Sequence, residues 1–67
     1  MLLETKKGGT YLKRVAFIKL LEQNGWWLLR HGANHDIYTN GIRNEAIPRH
    51  TEINERLVER IRKREGI

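Results

Sequence analysis

The spacing of apolar residues changes period along the chain. Phe17, Leu20 and Leu21 stand at i, i+3 and i+4, the repeat of one helical face, and predict a helix over about Tyr11 to Asn24. Thr10 is placed to accept a free backbone N–H as the N-cap. Gly25 is placed to end the helix in the left-handed conformation, with Trp26 folding back as the apolar contact beyond the cap. Trp26 to Arg30 reads as a strand, His31 to Asn34 as a loop, and Asp36 to Thr39 as a second strand that His35 opens. Asn40-Gly41 is a strong signal for a two-residue hairpin turn with positive φ at both positions. A third strand, Ile42 to Ile47, ends at Pro48. That turn pairs Thr39 with Ile42, Tyr38 with Arg43, Ile37 with Asn44 and His35 with Ala46. It also sets Asp36 against Glu45, an unfavourable like-charge pair. After a link at Arg49–Glu52, Asn54 is a good N-cap for a second helix running to Glu65, with Gly66 beyond its end. Ile53, Leu57 and Ile61 give that helix its apolar stripe at i, i+4 and i+8.

The predicted order is helix, strand, strand, strand, helix. It implies an α+β fold with a three-stranded antiparallel sheet and both helices on one face. Residues 10–67 form the expected single domain. Residues 1–9, which end in Lys6-Lys7-Gly8-Gly9, read as a flexible basic tail. The first strand departs from the simple pattern. Trp26 and Leu28 occupy one alternation class and Trp27 and Leu29 the other, so both faces are apolar. A sheet packed by helices on one side should be apolar on that side only. A chain of 67 residues is too short to cover the second face, so Trp27 and Leu29 are candidates for a partner interface.

Charge narrows the class of partner. Lys and Arg total 13 against 8 acidic residues, a formal net charge of +5. So strong a positive field on so small a chain favours a polyanion. The absence of cysteine excludes disulfides and thiolate metal sites. His31, His35 and His50 lack the spacing of a usual zinc motif. The apolar run Trp26-Trp27-Leu28-Leu29 is far too short to span a bilayer, and no secretory signal is expected. A cytoplasmic protein without metal or other cofactor is expected. Lys13 and Arg14 in the first turn of the first helix, with Glu22 near its end, all oppose the helix dipole.

Candidate chemistry centres on His35. It follows a loop of small residues and opens a strand, so a rigid element holds it while the loop leaves room for a substrate. RNA carries its own nucleophile in the ribose 2′-hydroxyl. An imidazole that takes or gives a proton, with cations to stabilise the charge on phosphorus, is enough for slow cleavage without metal. The candidate RNA-binding residues are Arg30, Asn34, Arg43, Arg49, Arg56 and Arg60. Arg56 and Arg60 continue to Arg64 at i, i+4 and i+8 on the second helix. Either Asp36 or Glu45 is near enough in the predicted register to orient the His35 ring.

Three segments carry a family resemblance: Lys19-Leu20-Leu21-Glu22-Gln23-Asn24-Gly25-Trp26, Asn34-His35-Asp36-Ile37-Tyr38 and Ile47-Pro48-Arg49-His50-Thr51-Glu52-Ile53. In this order and spacing they resemble the HicA toxins, the mRNA interferases of bacterial type II toxin–antitoxin systems. The resemblance covers about Lys13 to Ile67. It implies a fold like that of double-stranded-RNA-binding domains, whose element order is the one predicted above. It also implies metal-independent cleavage of mRNA that arrests translation, and a HicB-type antitoxin as protein partner. The family's catalytic histidine follows a Gly-Ser or Gly-Asn pair and matches His35. Here Ala33-Asn34 precede it, and Gly32 stands one position early. The alternative reading is a small RNA-binding module without chemistry, which would contact A-form RNA through phosphates and 2′-hydroxyls.

Overall fold

The computed structural model describes residues 11–67. The basic tail expected at residues 1–9 and the cap expected at Thr10 lie outside them. The elements are β1 (Tyr11–Lys13), α1 (Arg14–Gln23), β2 (Trp27–His31), β3 (His35–Thr39), β4 (Asn44–Pro48), β5 (Glu52–Asn54) and α2 (Glu55–Glu65). The fold is α+β. Its main sheet is the expected three-stranded antiparallel one, in the order β2-β3-β4.

Both helices pack on one face of this sheet. Tyr38 of β3 and Ile47 of β4 point inward and join Phe17 and Leu21 of α1, Val58 and Ile61 of α2, Trp26 and Ile53 in one buried cluster. Asp36 and Glu45 share that inward face, because residues two apart on a strand point the same way. The opposite face carries His35 and Ile37 of β3 and Ala46 of β4. Val58 belongs to the core although the predicted stripe omitted it, while Leu57 is only half-buried. α2 starts and stops where expected. The Asn54 side chain accepts a hydrogen bond from the Arg56 N–H at 2.8 Å, and Gly66 adopts φ +71°.

α1 ends as the pattern predicts but begins later. Gly25 has φ +85°; its N–H bonds the Glu22 carbonyl at 3.2 Å and the Trp26 N–H bonds the Leu21 carbonyl at 3.0 Å. These two bonds make the Schellman closure, and the buried Trp26 and Leu21 side chains supply its apolar contact. Trp26 therefore belongs to the cap, and β2 starts one residue later than predicted. At the other end, Tyr11–Lys13 forms a strand instead of a helical turn. It pairs with β5 in a separate two-stranded antiparallel sheet, Leu12 opposite Ile53 and Lys13 opposite Glu52. The Arg14 N–H continues this contact to the Thr51 carbonyl at 2.8 Å. Long-range pairing overrides local helix periodicity here, and part of the segment read as a link becomes β5.

The β3–β4 hairpin differs from the predicted one by two residues. Thr39 lies opposite Asn44, Tyr38 opposite Glu45, Ile37 opposite Ala46, Asp36 opposite Ile47 and His35 opposite Pro48. The turn comprises Asn40–Arg43, and only Gly41 has positive φ, at +92°. The reason is side-chain chemistry. Asn40 Oδ1 accepts hydrogen bonds from the N–H groups of Ile42 at 2.9 Å and Arg43 at 2.8 Å. Thr39 Oγ1 accepts one from the Gly41 N–H at 3.0 Å and donates one to the Arg43 carbonyl at 2.8 Å. Asn40 thus builds an Asx turn instead of adopting the left-handed conformation. A two-residue shift leaves every side chain on its predicted face and removes the clash of Asp36 with Glu45. No helix among the described residues is long and apolar enough to cross a membrane.

Candidate active site

β2 and β3 are joined by the two-residue turn Ala33-Asn34, with Gly32 and His35 on its shoulders. The Gly32 N–H donates to the His35 carbonyl at 2.7 Å. A Cβ on Gly32 would lie 2.8 Å from that carbonyl oxygen, which explains why glycine stands here. Arg49 clamps the turn from β4's side. Its guanidinium donates to the carbonyls of Ala33 and His35 and, at 2.7 Å, to Asp36 Oδ1. The His35 ring itself is exposed on the sheet face away from the helices, with no hydrogen-bond partner among the described residues. A rigid backbone therefore holds an imidazole that is open to solvent. Gly32→Ala should destabilise the chain by about 1–2 kcal/mol, the cost of forcing the close contact apart less the entropy gained by restricting the unfolded chain. Urea unfolding checks this; an unchanged midpoint would show that the turn relaxes freely.

Asp36 does not orient His35. Neighbouring residues on a strand face opposite ways, and the Asp36 carboxylate turns toward the helices, where it gathers three donors. Arg14 Nη2 lies 2.6 Å from Oδ2, and His31 Nδ1 and Arg49 Nη1 each lie 2.7 Å from Oδ1. His31 is its cross-strand neighbour. The hydrogen bond from His31, supported by that from Arg49 and by the charges of both, holds the Asp36 carboxyl down at about 2, although burial pushes the other way. Arg14 also donates through Nε to the Pro48 carbonyl at 2.8 Å. Its position at the start of α1, unfavourable for the dipole, is thus explained by a buried counter-charge. The charge pattern of the first helix held that signal. What the sequence did not disclose was that Arg14, His31 and Arg49 converge on one carboxylate.

Glu45 is also unavailable to His35. It faces α2, where Arg64 Nη2 lies 2.5 Å and Arg60 Nη2 3.6 Å from its oxygens. Glu65 pairs with Arg64 and with Arg43, each at 2.8 Å. The helical stripe Arg56, Arg60, Arg64 is therefore divided: Arg60 and Arg64 neutralise the sheet carboxylate, while Arg56 has no ion pair among the described residues. Arg30 likewise has none, and lies across from Ile37 on the outer face with His35. Asn34 is exposed in the turn. Of the six candidate RNA contacts, Arg30, Asn34 and Arg49 surround the His35 turn; Arg43 and Arg60 belong to the α2 network; Arg56 is exposed in the first turn of α2.

Trp27 and Leu29 are exposed, and Leu28 joins them at 38 % exposure. β2 is an edge strand, and its pairing shifts between Leu28 and Arg30, so Leu29 sits in a bulge. Two shallow concavities of about 340 and 430 Å³ lie against α2, and neither is lined by His35. Among the described residues no three His, Asp or Glu side chains gather as a metal-holding group. The chain matches none of the protein-family models, curated proteins or solved structures with which it was compared.

Proposed function

We propose that this chain is a HicA-like toxin, an endoribonuclease that cleaves mRNA without metal and arrests translation in the cytoplasm. The observation that carries this reading is the solvent-facing His35 imidazole on a turn fixed by Gly32 and Arg49. RNA laid over the turn meets that imidazole, which transfers a proton during attack of the 2′-hydroxyl on phosphorus. Arg30 lies on the same face as His35 and is without an ion pair among the described residues, and Arg14 and Arg49 together outnumber the single Asp36 charge beside the turn. The net charge of +5 draws the polyanion in. The exposed edge strand with Trp27, Leu28 and Leu29 suits a HicB-type antitoxin that adds backbone pairing to β2 and covers the apolar side chains. A purely RNA-binding module is less well supported, since Arg43, Arg60 and Arg64 are engaged by Glu45 and Glu65.

The test is cleavage of a defined mRNA fragment in EDTA by the wild-type chain and by His35→Ala. Loss of general acid–base catalysis predicts a fall of at least about 10²-fold. The exposed position of His35 predicts an unchanged melting temperature. Full cleavage by the alanine variant would reject His35, and an inactive wild-type chain would reject the nuclease reading.

A further inference from the structure

The His31–Asp36 pair has no task in a mechanism that uses His35 alone. His31 is 70 % exposed at its side chain, yet its Nδ1 is held 2.7 Å from a buried carboxylate. A carboxylate bound at Nδ1 fixes the tautomer and leaves Nε2 with a lone pair facing solvent, the arrangement of a histidine that accepts a proton. His35 has no such orienting partner among the described residues. The two histidines flank the same turn, joined by the bond from Gly32 N–H to the His35 carbonyl. Strand alternation sends their side chains to opposite faces of the hairpin: His31 goes with Asp36, His35 away from it.

Cleavage through the 2′-hydroxyl needs two proton transfers on opposite sides of phosphorus, because the attacking and leaving oxygens lie in line. We propose that His31 is the second catalytic histidine of this site, and that Asp36 is its positioning residue. This rests on the ribonuclease reading above. A phosphodiester lying across the end of the hairpin, over Ala33-Asn34, has one imidazole on either side. His31 Nε2 takes the proton of the 2′-hydroxyl as the 2′-oxygen forms its bond to phosphorus. The bond from phosphorus to the 5′-oxygen breaks, and His35 gives that oxygen its proton. The products are a 2′,3′-cyclic phosphate and a 5′-hydroxyl. Arg49, which ties Asp36 to the turn carbonyls, keeps the two histidines in fixed relation.

The experiment uses the full chain and a chimeric oligonucleotide with one ribonucleotide at a cleavage site mapped on the mRNA fragment. A second substrate carries sulfur in place of the 5′-oxygen, a leaving group that needs no acid. His31→Gln should lose about 10²-fold or more on both substrates. His35→Ala should lose as much on the oxygen substrate and recover most of it on the sulfur substrate. Asp36→Asn, checked for folding by circular dichroism, should lower kcat with KM unchanged. Activity of His31→Gln within twofold of wild type, with His35→Ala inactive, would overturn the proposal and leave the nuclease reading standing. Rescue of His31→Gln but not His35→Ala by sulfur would overturn the assigned roles. An inactive wild-type chain would overturn both readings together.

Discussion

A chain carrying Phe17→Ala should lose about 3–5 kcal/mol of stability, about half or more of what a chain of this length holds at mid-range. Phe17 is fully buried where α1 meets the sheet, among only eight buried apolar side chains in the described residues. Truncating a buried phenylalanine to alanine costs about 3–5 kcal/mol, part from lost transfer of the ring and part from the cavity left behind. A chain of this length has a total stability of roughly 3–10 kcal/mol. The single change removes all of the stability at the lower end of that range, up to about 5 kcal/mol. No neighbouring core layer is available to collapse into the space, since Leu21, Ile47, Ile53 and Ile61 are already fully buried around the same centre. Val15 lies on the same helix but is 68 % exposed, so Val15→Ala should change stability by no more than about 0.5 kcal/mol. Urea titrations followed by far-UV circular dichroism measure both. A Phe17→Ala midpoint close to wild type would mean that α1 does not anchor the core as described.

What the sequence disclosed and what it hid divide along physical lines. Local signals succeeded wherever one residue's conformation decides the structure. Gly25 and Gly66 end their helices with positive φ, and Asn54 caps α2 with its own side chain. Signals that depend on distant pairing failed. Tyr11–Lys13 has a sequence compatible with a helical turn, and only β5, some forty residues away, makes it a strand. The Asn40-Gly41 turn failed for a subtler reason. Asn40 can either take a left-handed conformation or accept backbone N–H groups, and both fit a hairpin. The predicted pairing of Asp36 with Glu45 was itself a warning, and the observed register resolves it. The position of the candidate His35 at the opening of β3 was legible, because a strand-opening residue after a small loop is a local feature. The hub at Asp36 was not, since Arg14, His31 and Arg49 arrive from α1, β2 and the segment after β4.

That hub should make the fold sensitive to acid in a defined range. Asp36 titrates at about 2 in the folded chain against an ordinary 3.8. Between these values the unfolded chain binds a proton at this residue and the folded chain does not. The contribution of Asp36 to stability is therefore complete above about pH 4, and is lost as pH falls through about 2. Asp36→Asn keeps the shape but not the charge, so the Asp36 contribution to the pH dependence over that range should vanish, and the variant should be less stable than wild type at pH 5 and above. Asp36→Ala should be worse than Asp36→Asn, since it also removes the acceptor oxygens that Arg14, His31 and Arg49 share. Thermal melts of the three chains from pH 2 to pH 6 decide the point. If the wild-type and Asp36→Asn curves run parallel from pH 4 to pH 2, the carboxylate is not held ionised by its three partners. The same melts bear on function, because the carboxylate that anchors Arg14 at the start of α1 also holds His31, and through Arg49 it connects to the turn beneath His35. Acid that protonates Asp36 should therefore loosen the turn and the α1 contact in one step, so that loss of the His31 hydrogen bond, followed by NMR of the imidazole, coincides with the melt.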